Sequence, residues 1–157
     1  MRPGGANTWM KEYFGNPKAT VDAWEDLWLH LDDLGYIDED GWLHYVGRTA
    51  SVIRHRGENI TPTDIEPVLE SQDAVEEAAV VGVKSNMTEE DIKAFIVASG
   101  DINEPELIEQ CESRLASFKI PRYIESVDEL PKTATNKLRR TVLRERDNAD
   151  AWDRRAE

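Results

Sequence analysis

The 157-residue sequence contains a single cysteine, Cys111, and no long apolar run. One thiol cannot form an internal disulfide, which excludes a disulfide-stabilised secreted fold and fits a reducing cytosol. No apolar run reaches the ~18 residues that a membrane-spanning helix needs. The first residues also lack the apolar segment of a signal peptide. These absences predict a cytoplasmic protein without a transmembrane segment.

Basic residues are few: 19 Lys and Arg face 32 Asp and Glu, which gives a net charge of −13. This charge argues against general nucleic-acid binding, which needs a basic surface. It leaves open the local binding of a phosphate compound by a cluster of basic side chains, although such clusters are also ordinary solvated faces and helix-end charges. The clusters are Arg54 and Arg56, Lys119 and Arg122, and Arg139, Arg140, Arg144 and Arg146.

Several kinds of chemical site are missing as well. His30, His44 and His55 are scattered and have no cysteine neighbours, so no metal site is expected. No residues form a believable Ser-His-Asp set. The chain also has neither a Walker phosphate loop nor a Ser/Thr/Gly-rich run, one of which an enzyme that uses ATP should carry. This absence argues against a complete ATP-using enzyme within these residues.

The pattern of apolar residues predicts an α/β (α+β) fold in which strands alternate with helices. We expect a small domain over residues 51–146, with a sheet of about three strands flanked by helices, and an N-terminal arm that contains a β-hairpin. Cys111 falls on the apolar face of a predicted helix and is assigned to the core. Extended segments are predicted at residues 36–46 (a hairpin with an Asp-Gly turn), 52–60, 78–83, 92–97 and 123–127, and helices at 61–69, 103–118 and 138–146.

The N-terminal arm is rich in aromatic residues for a segment of weak periodicity. Rings of this kind are ordinarily buried against something. We therefore expect residues 1–30 to be partly disordered or bound to a partner surface. The aromatic residues are Trp9, Tyr13, Phe14, Trp24 and Trp28.

Lys137 is the strongest candidate for a catalytic residue. It lies at the end of a short polar loop whose entry is fixed by Pro131, and Arg139 and Arg140 follow at once. A lone lysine is most often a solvated surface side chain. A long cation on a loop, however, can reach a reacting centre where negative charge gathers, and there it stabilises the transition state.

Two further places suit a nucleotide or another ligand. Asp33 and Arg48 flank the predicted hairpin, where a carboxylate suits ribose hydroxyls and an arginine suits hydroxyls or phosphate. They are equally ordinary as a turn aspartate and a strand-end arginine. Gly57 marks either a close approach of a ligand to the backbone or a bulge or turn.

Taken together, these motifs resemble the C-terminal part of the AMP-forming acyl-CoA synthetases, within the superfamily of acyl-CoA ligases, peptide-synthetase adenylation domains and luciferases. The resemblance runs over residues 11–146, and the order and spacing of the motifs make it specific. The segment RHRGEN at residues 54–59 is most similar to ligases of the crotonobetaine/carnitine-CoA type. The motifs are DLGYIDEDG (33–41), GR (47–48), GENI (57–60), AVVGV (79–83) and PKTATNK (131–137).

The resemblance implies an enzyme that converts a small carboxylic acid, ATP and CoA to acyl-CoA, AMP and pyrophosphate. A large N-terminal domain carries the phosphate loop and the acyl pocket, and a small C-terminal domain rotates between two half-reactions. The lysine that matches Lys137 bridges the carboxylate and the α-phosphate in the first. Magnesium and ATP are held mainly by the N-terminal domain.

Other residues acquire roles by the same resemblance. Asp33 and Arg48 match the residues that hold the ribose, and Ala50 matches the hinge. In the second half-reaction the domain turns and CoA attacks. The residues implied to face CoA are Gly57 and Glu58, which match the lining of the pantetheine channel, and Phe118, Lys119 and Arg122, which match the region near its nucleotide.

The sequence departs from the family pattern in three places. Leu31-Asp32-Asp33 stands where Thr-Gly-Asp is usual, and Asn136 replaces a common glycine before the lysine. The hinge position, commonly Asp or Lys, is Ala50. These changes put the nucleotide-facing loop and the behaviour of the hinge in question.

We therefore expect residues 1–49 to be the end of the large N-terminal domain, 51–146 the mobile C-terminal domain, and 147–157 a tail. The chain alone is expected to be inactive, because the N-terminal domain must be supplied in cis or in trans. Two alternatives remain. One is a non-catalytic module that binds a protein through its aromatic residues, and the other is the small subunit of a split ligase.

Overall fold

The computed structural model describes residues 10–26, 28–87 and 89–156. The chain divides into two compact units, residues 1–49 and residues 50–157. The predicted hinge residue Ala50 is thus the first residue of the second unit, and it lies in a short 3-10 turn, Thr49–Ser51. Trp9, part of the predicted aromatic arm, lies outside the described residues. None of the described helices is long and apolar enough to cross a membrane.

The first unit is built around the predicted hairpin. An Asp38 carboxylate oxygen accepts hydrogen bonds from the Asp40 and Trp42 amides and so closes its turn, and Gly41 takes a positive φ of 86°. A short helix precedes the hairpin, and the Asn16 side chain caps it through the Ala19 amide. The elements are α1 (Pro17–Ala23), β1 (Trp24–Glu25), β2 (Trp28–Leu29), β3 (Asp33–Ile37) and β4 (Leu43–Arg48).

The second unit contains a four-stranded sheet with the order β10-β9-β8-β7. Strands β7 and β8 form an antiparallel hairpin, and β9 runs parallel to β8 after the crossover helix α3. A separate two-stranded hairpin, β5–β6, precedes α2. The elements are β5 (Ile53–His55), β6 (Glu58–Ile60), α2 (Pro62–Glu70), β7 (Val75–Lys84), β8 (Glu90–Ala98), α3 (Glu104–Arg114), β9 (Tyr123–Ser126), α4 (Arg140–Arg144) and β10 (Trp152–Asp153).

Alternation along the strands divides the core of this unit into two layers. Val80 belongs to the layer that contains the apolar residues of α2 and α3, including the fully buried Cys111. Its neighbours in β7, Ala79 and Val81, belong to the opposite layer. That layer also contains Phe95 of β8 and Leu143 of α4. Both faces of the sheet are therefore covered, as the α/β prediction requires.

The predicted helix from residue 61 forms with the expected apolar face. Ile65 and Leu69 are fully buried and Val68 packs beside them. Pro67 does not end the helix, although a proline cannot donate the usual hydrogen bond. The residue at the N-cap position is Thr61, and its side chain makes no capping hydrogen bond.

Strand β7 lies at the edge of the sheet, and α2 satisfies two of its outward amides. Glu66 accepts a hydrogen bond from the Val80 N–H at 2.8 Å, and Glu70 accepts one from the Ala78 N–H at 3.1 Å. The two carboxylates are one helical turn apart, which matches the spacing of alternate amides along a strand. Side chains thus replace a neighbouring strand at these positions.

Three boundaries differ from the sequence prediction. The sheet has four strands, because residues 152–153 add a short strand beside β9. Helix α3 ends at Arg114, so Phe118 lies in a 3-10 turn (Ser117–Lys119) and not on the helix. Helix α4 covers five residues and begins only at Arg140. Short elements lack the repeated pattern on which periodicity depends.

Candidate functional site

Lys137 is exposed at the end of a closed polar loop. The loop is a miniature hairpin in which Lys132 and Leu138 form an isolated β-bridge. The Thr133 amide donates to the Lys137 carbonyl at 2.8 Å, and the Lys137 amide donates to the Thr133 hydroxyl at 3.1 Å. The backbone at Lys137 is therefore fixed. Within the described part of the chain, its side chain has no ion-pair partner.

Two departures from the family pattern occupy left-handed backbone. Asn136 has a φ of 61° and Asp32 a φ of 55°, and each stands where the family commonly has glycine. Asn and Asp are the non-glycine residues that adopt this conformation most readily, because their short polar side chains bond locally. Both residues therefore suit the left-handed backbone that the two loops adopt.

Both ends of the Lys137 loop are held by ion pairs. The Lys132 ammonium donates to both carboxylate oxygens of Glu77 on β7, at 2.6 and 2.8 Å. At the other end, Arg140 donates through Nη2 to both oxygens of Glu66 on α2, at 2.6 and 2.8 Å. Two basic residues that flank the loop, Lys132 and the predicted cluster member Arg140, are thus engaged within the domain, whereas Lys137 between them is exposed.

Gly57 lies at a tight turn between β5 and β6. Arg56 and Gly57 both have positive φ, 54° and 80°, as a two-residue hairpin turn of this hand requires. A side chain at Gly57 would meet nothing within 4 Å, so the glycine serves the backbone conformation. The structure shows a turn at Gly57 and presents the exposed Glu58 directly after it, and the approach of a ligand to Gly57 stays a prediction.

Glu90 fastens this hairpin to the sheet. Its carboxylate accepts a hydrogen bond from the Arg54 amide at 2.8 Å, and its carbonyl accepts one from Nδ1 of the buried His55 at 2.5 Å. The carboxylate lies over Gly82, where a Cβ atom would come within 2.6 Å of it. The Glu90 side chain, in this position, leaves no room for a Cβ atom at the glycine of the AVVGV motif.

Asp33 and Arg48 are directly opposite each other in the β3–β4 hairpin. Nε of Arg48 lies 3.2 Å from an Asp33 carboxylate oxygen, and both side chains remain accessible, at 63% and 35%. The two groups that suit a ribose are thus brought together at one end of the hairpin. A cavity of about 430 Å³ in the same unit includes Asp33 in its lining, beside Leu29, Leu34 and Tyr45.

Phe118, Lys119 and Arg122 lie near one another, but two of them are engaged by acidic groups. Lys119 pairs with Asp64 at 2.7 Å, and Phe118 is half-buried against the core. Arg122 donates to both oxygens of Asp153 and to Asp91. Hydrogen bonds, above all those to Asp153, raise the pKa of Arg122 above its ordinary value. Their contact with CoA stays a prediction.

The residues that hold the Lys137 loop and the β5–β6 hairpin were not identified from the sequence. Glu66 and Arg140 are 74 positions apart, Lys132 and Glu77 are 55 apart, and Glu90 is 36 from Arg54. No local pattern connects partners at such separations. The signal that was present is the clustering of basic residues beside Lys137.

Within the described ranges, no group of three or more His, Cys, Asp or Glu side chains could hold a metal ion.

Comparison with known proteins identifies a family. Residues 64–137 match the AMP-binding enzyme C-terminal domain, and the match ends at Lys137. The chain is 45% identical over 132 residues to a 2-succinylbenzoate–CoA ligase of Bacillus mycoides (strain KBAB4), covering 84% of this chain and 27% of the relative. It is 39% identical over 140 residues to a crotonobetaine/carnitine–CoA ligase of Escherichia coli O8 (strain IAI1), covering 87% and 27%.

A solved structure agrees with these relatives. The o-succinylbenzoate CoA synthetase from Bacillus subtilis, in complex with its acyl-adenylate intermediate, is matched with a TM-score of 0.81 and 37% identity. The match covers 88% of this chain and 29% of the synthetase. The chain therefore spans little more than a quarter of the length of the proteins it matches.

Proposed function

The chain belongs to the AMP-forming acyl-CoA ligases, as their C-terminal part, and we propose that it supplies the adenylation lysine and one side of the CoA channel. The reaction is the conversion of a carboxylic acid, ATP and CoA to acyl-CoA, AMP and pyrophosphate. The nucleotide is ATP or AMP, in keeping with relatives that bind an acyl-adenylate. CoA is the thiol substrate, and magnesium accompanies ATP as a cofactor.

The observation that carries the proposal is the setting of Lys137. Its backbone is fixed by two hydrogen bonds to Thr133, while its side chain is exposed. A cation whose backbone is held in this way has less to reorganise when negative charge develops in front of it. We assign to Lys137 the bridging of the substrate carboxylate and the α-phosphate. Losing one such donor costs on the order of 3 kcal/mol in the transition state.

The turn at Arg56–Gly57 suits the second half-reaction. It is narrow, because of its two tip residues only Arg56 has a side chain, and a Cβ atom at Gly57 would meet nothing within 4 Å. A narrow rigid turn can line a channel for an extended thiol arm without blocking it. We assign Gly57 and Glu58 to the pantetheine channel, and Phe118, Lys119 and Arg122 to the neighbourhood of the CoA nucleotide.

Asp33 and Arg48 are assigned to the ribose, because their accessible carboxylate and guanidinium stand together at the end of one hairpin. Residues 1–49 are assigned to the end of the large N-terminal domain, with Ala50 as the hinge. In support, the boundary between the two compact units falls between Thr49 and Ala50. Because Ala50 has only a methyl side chain, the hinge would lack the charged side chain that is common at this position in the family.

We further propose that the 157 residues alone do not form acyl-adenylate. The sequence contains no phosphate loop of the kind that grips a triphosphate. The acid that is activated is selected outside these residues, since the acyl pocket belongs to the N-terminal domain of the family. Catalysis therefore requires a partner domain.

The test uses a fused ligase, in which the whole chain replaces the matching C-terminal part of the Bacillus subtilis o-succinylbenzoate CoA synthetase. Lys137→Ala should lower the rate of acyl-adenylate formation about 100-fold or more, because one charged donor is lost. Thioester formation from supplied acyl-adenylate should stay within about 3-fold, as that step does not use the lysine.

The matched control is Lys84→Ala, which removes an exposed lysine at the end of β7. It should change neither half-reaction. An equal loss in both half-reactions for Lys137→Ala would overturn the assigned role. A fused ligase without activity before any substitution would count against the assignment of the chain itself.

A further inference from the structure

Glu66 on α2 carries out two tasks with one carboxylate. Its Oε1 atom accepts hydrogen bonds from the Val80 amide of β7, at 2.8 Å, and from Nη2 of Arg140, at 2.6 Å. Its Oε2 atom accepts a second bond from the same nitrogen at 2.8 Å. The side chain is only 13% exposed and that of Arg140 only 26%, so the pair is shielded from solvent and ions.

Arg140 stands three residues after Lys137, where helix α4 begins. The pair with Glu66 therefore fixes the chain on the outgoing side of the loop. On the incoming side, Lys132 is held by Glu77, a residue of β7. Glu66 is itself hydrogen-bonded to Val80 of β7. Both sides of the loop are therefore attached to the same strand, β7.

Within the loop, the backbone leaves little freedom to move against these supports. The Arg139 amide donates to the Pro131 carbonyl at 2.8 Å, which closes the base. The bonds between Thr133 and Lys137 close the tip. A closed loop supported at both ends moves as one body, so a shift at Arg140 becomes a shift of Lys137.

We propose that Glu66 is a positioning residue for Lys137, acting through Arg140, and that its loss impairs adenylation selectively. The inference rests on the proposed role of Lys137. Glu66 touches no substrate in this proposal. It sets where the lysine stands relative to the sheet, and small displacements of a reacting group reduce rates steeply.

The first test needs no activity and uses the 157-residue chain. Glu66→Gln keeps an acceptor for the Val80 amide but removes the charge that binds Arg140. Amide hydrogen exchange should become roughly 10-fold faster at Thr133, Lys137 and Arg139, since weaker support lets the loop open more often.

The matched control for this test is Glu70→Gln. Glu70 lies one turn further along α2 and binds the Ala78 amide of the same strand, but among the described residues it has no cationic partner. Exchange at the three loop amides should not change in this variant. Equal acceleration in the two variants, or none with Glu66→Gln, would overturn the proposal, whatever the chemistry of Lys137 is.

The second test measures the two half-reactions in the fused ligase. Glu66→Gln should lower the kcat of adenylation about 10-fold with the KM for ATP within about 2-fold, and should leave thioester formation from supplied acyl-adenylate within about 2-fold. Arg140→Ala should have the same effect, and the double variant should lose little more than either single one.

The outcomes separate the proposals. Equal loss in both half-reactions would mean a merely structural role and would overturn the inference about Glu66. If Lys137→Ala spares adenylation, the proposed function fails, and the inference about catalysis fails with it, even where the exchange result holds. If Lys137→Ala stops adenylation and Glu66→Gln does not lower it, only the positioning role is wrong.

Discussion

Two antiparallel hairpins of this chain contrast sharply in burial. In the β3–β4 hairpin of the first unit every residue of β3 is exposed, and Tyr36 and Trp42 are 58% and 72% accessible. In the β7–β8 hairpin of the second unit, all residues from 91 to 96 are buried. The same backbone arrangement thus occurs with and without a core of its own. Strand pairing alone does not make a hairpin stable, and the side chains packed on its faces do.

The largest effect is expected where the contrast is greatest. Phe95 is fully buried in β8 and belongs to the same core layer as Leu143 of α4. Phe95→Ala should lower the free energy of unfolding by about 3–5 kcal/mol, because the lost ring leaves a cavity. Urea denaturation followed by circular dichroism measures this. A loss below about 1 kcal/mol would show that the layer around α4 contributes little to stability.

The next effect concerns ionisation. Burial raises the pKa of the Cys111 thiol from 9.0 to about 11. A raised pKa means that the folded state binds the proton more tightly, so stability is complete below pH 9.0 and falls as pH rises towards about 11. The free energy of unfolding should therefore drop by roughly 2 kcal/mol between pH 8 and pH 10.5 through this group.

Cys111→Ala should remove that part of the pH dependence while lowering stability at every pH. Denaturation of both proteins at the two pH values isolates the contribution of the thiol. An identical dependence of stability on pH in the two proteins would contradict the contribution of the thiol.

In the exposed β3–β4 hairpin the pKa shift has a different cause. There a hydrogen bond from His44, not burial, lowers the pKa of Asp38.

A smaller effect is expected at Gly82 in β7. A Cβ atom there would lie 2.6 Å from the Glu90 carboxylate, which must move and release the Arg54 amide. Gly82→Ala should cost about 1 kcal/mol, since the displaced group is the end of a flexible side chain and one hydrogen bond is lost. The control is Gly100→Ala, where a Cβ atom meets nothing within 4 Å. Urea denaturation of both variants decides, and equal stabilities would contradict the contact.

The smallest effect is expected in the first unit. Trp42→Ala should change the free energy of unfolding of the 157-residue chain by less than about 0.5 kcal/mol, because the ring is mostly exposed. The same denaturation experiment measures it. A loss comparable to that of Phe95→Ala would abolish the contrast between the two hairpins and would mean that the ring has a packing partner in solution.

The elements that sequence reasoning identified are those in which a pattern repeats. Helix α2 was predicted from the 3.6-residue spacing of Ile65 and Leu69, and the central strands from continuous apolar runs. Strand β10 escaped prediction, because two residues carry no period. Its place is set by the pairing of Trp152 with Ile124 and by the ion pair between Arg122 and Asp153.

The same limit applies to the candidate site. The polar loop and its lysine could be identified, because Pro131 and the small residues that follow form a local signal. The support of the loop could not, because Glu66 and Glu77 lie far from it in sequence. Their carboxylates become ion-pair partners of Arg140 and Lys132 only in the folded chain, where α2 and β7 bring them together. The roles of Lys137, Asp33 and Arg48 stay predictions.

The carboxylates of Glu66 and Glu70 have one more consequence, for the behaviour of the chain at high concentration. An edge strand with free amides is a template on which strands of other molecules can add and aggregate. Here the amides of Val80 and Ala78 are already bonded within the molecule. An approaching strand would meet two carboxylates, one of them paired with Arg140, instead of free donors. The sheet is thereby made a poor seed for intermolecular pairing, although its central sequence is almost entirely apolar.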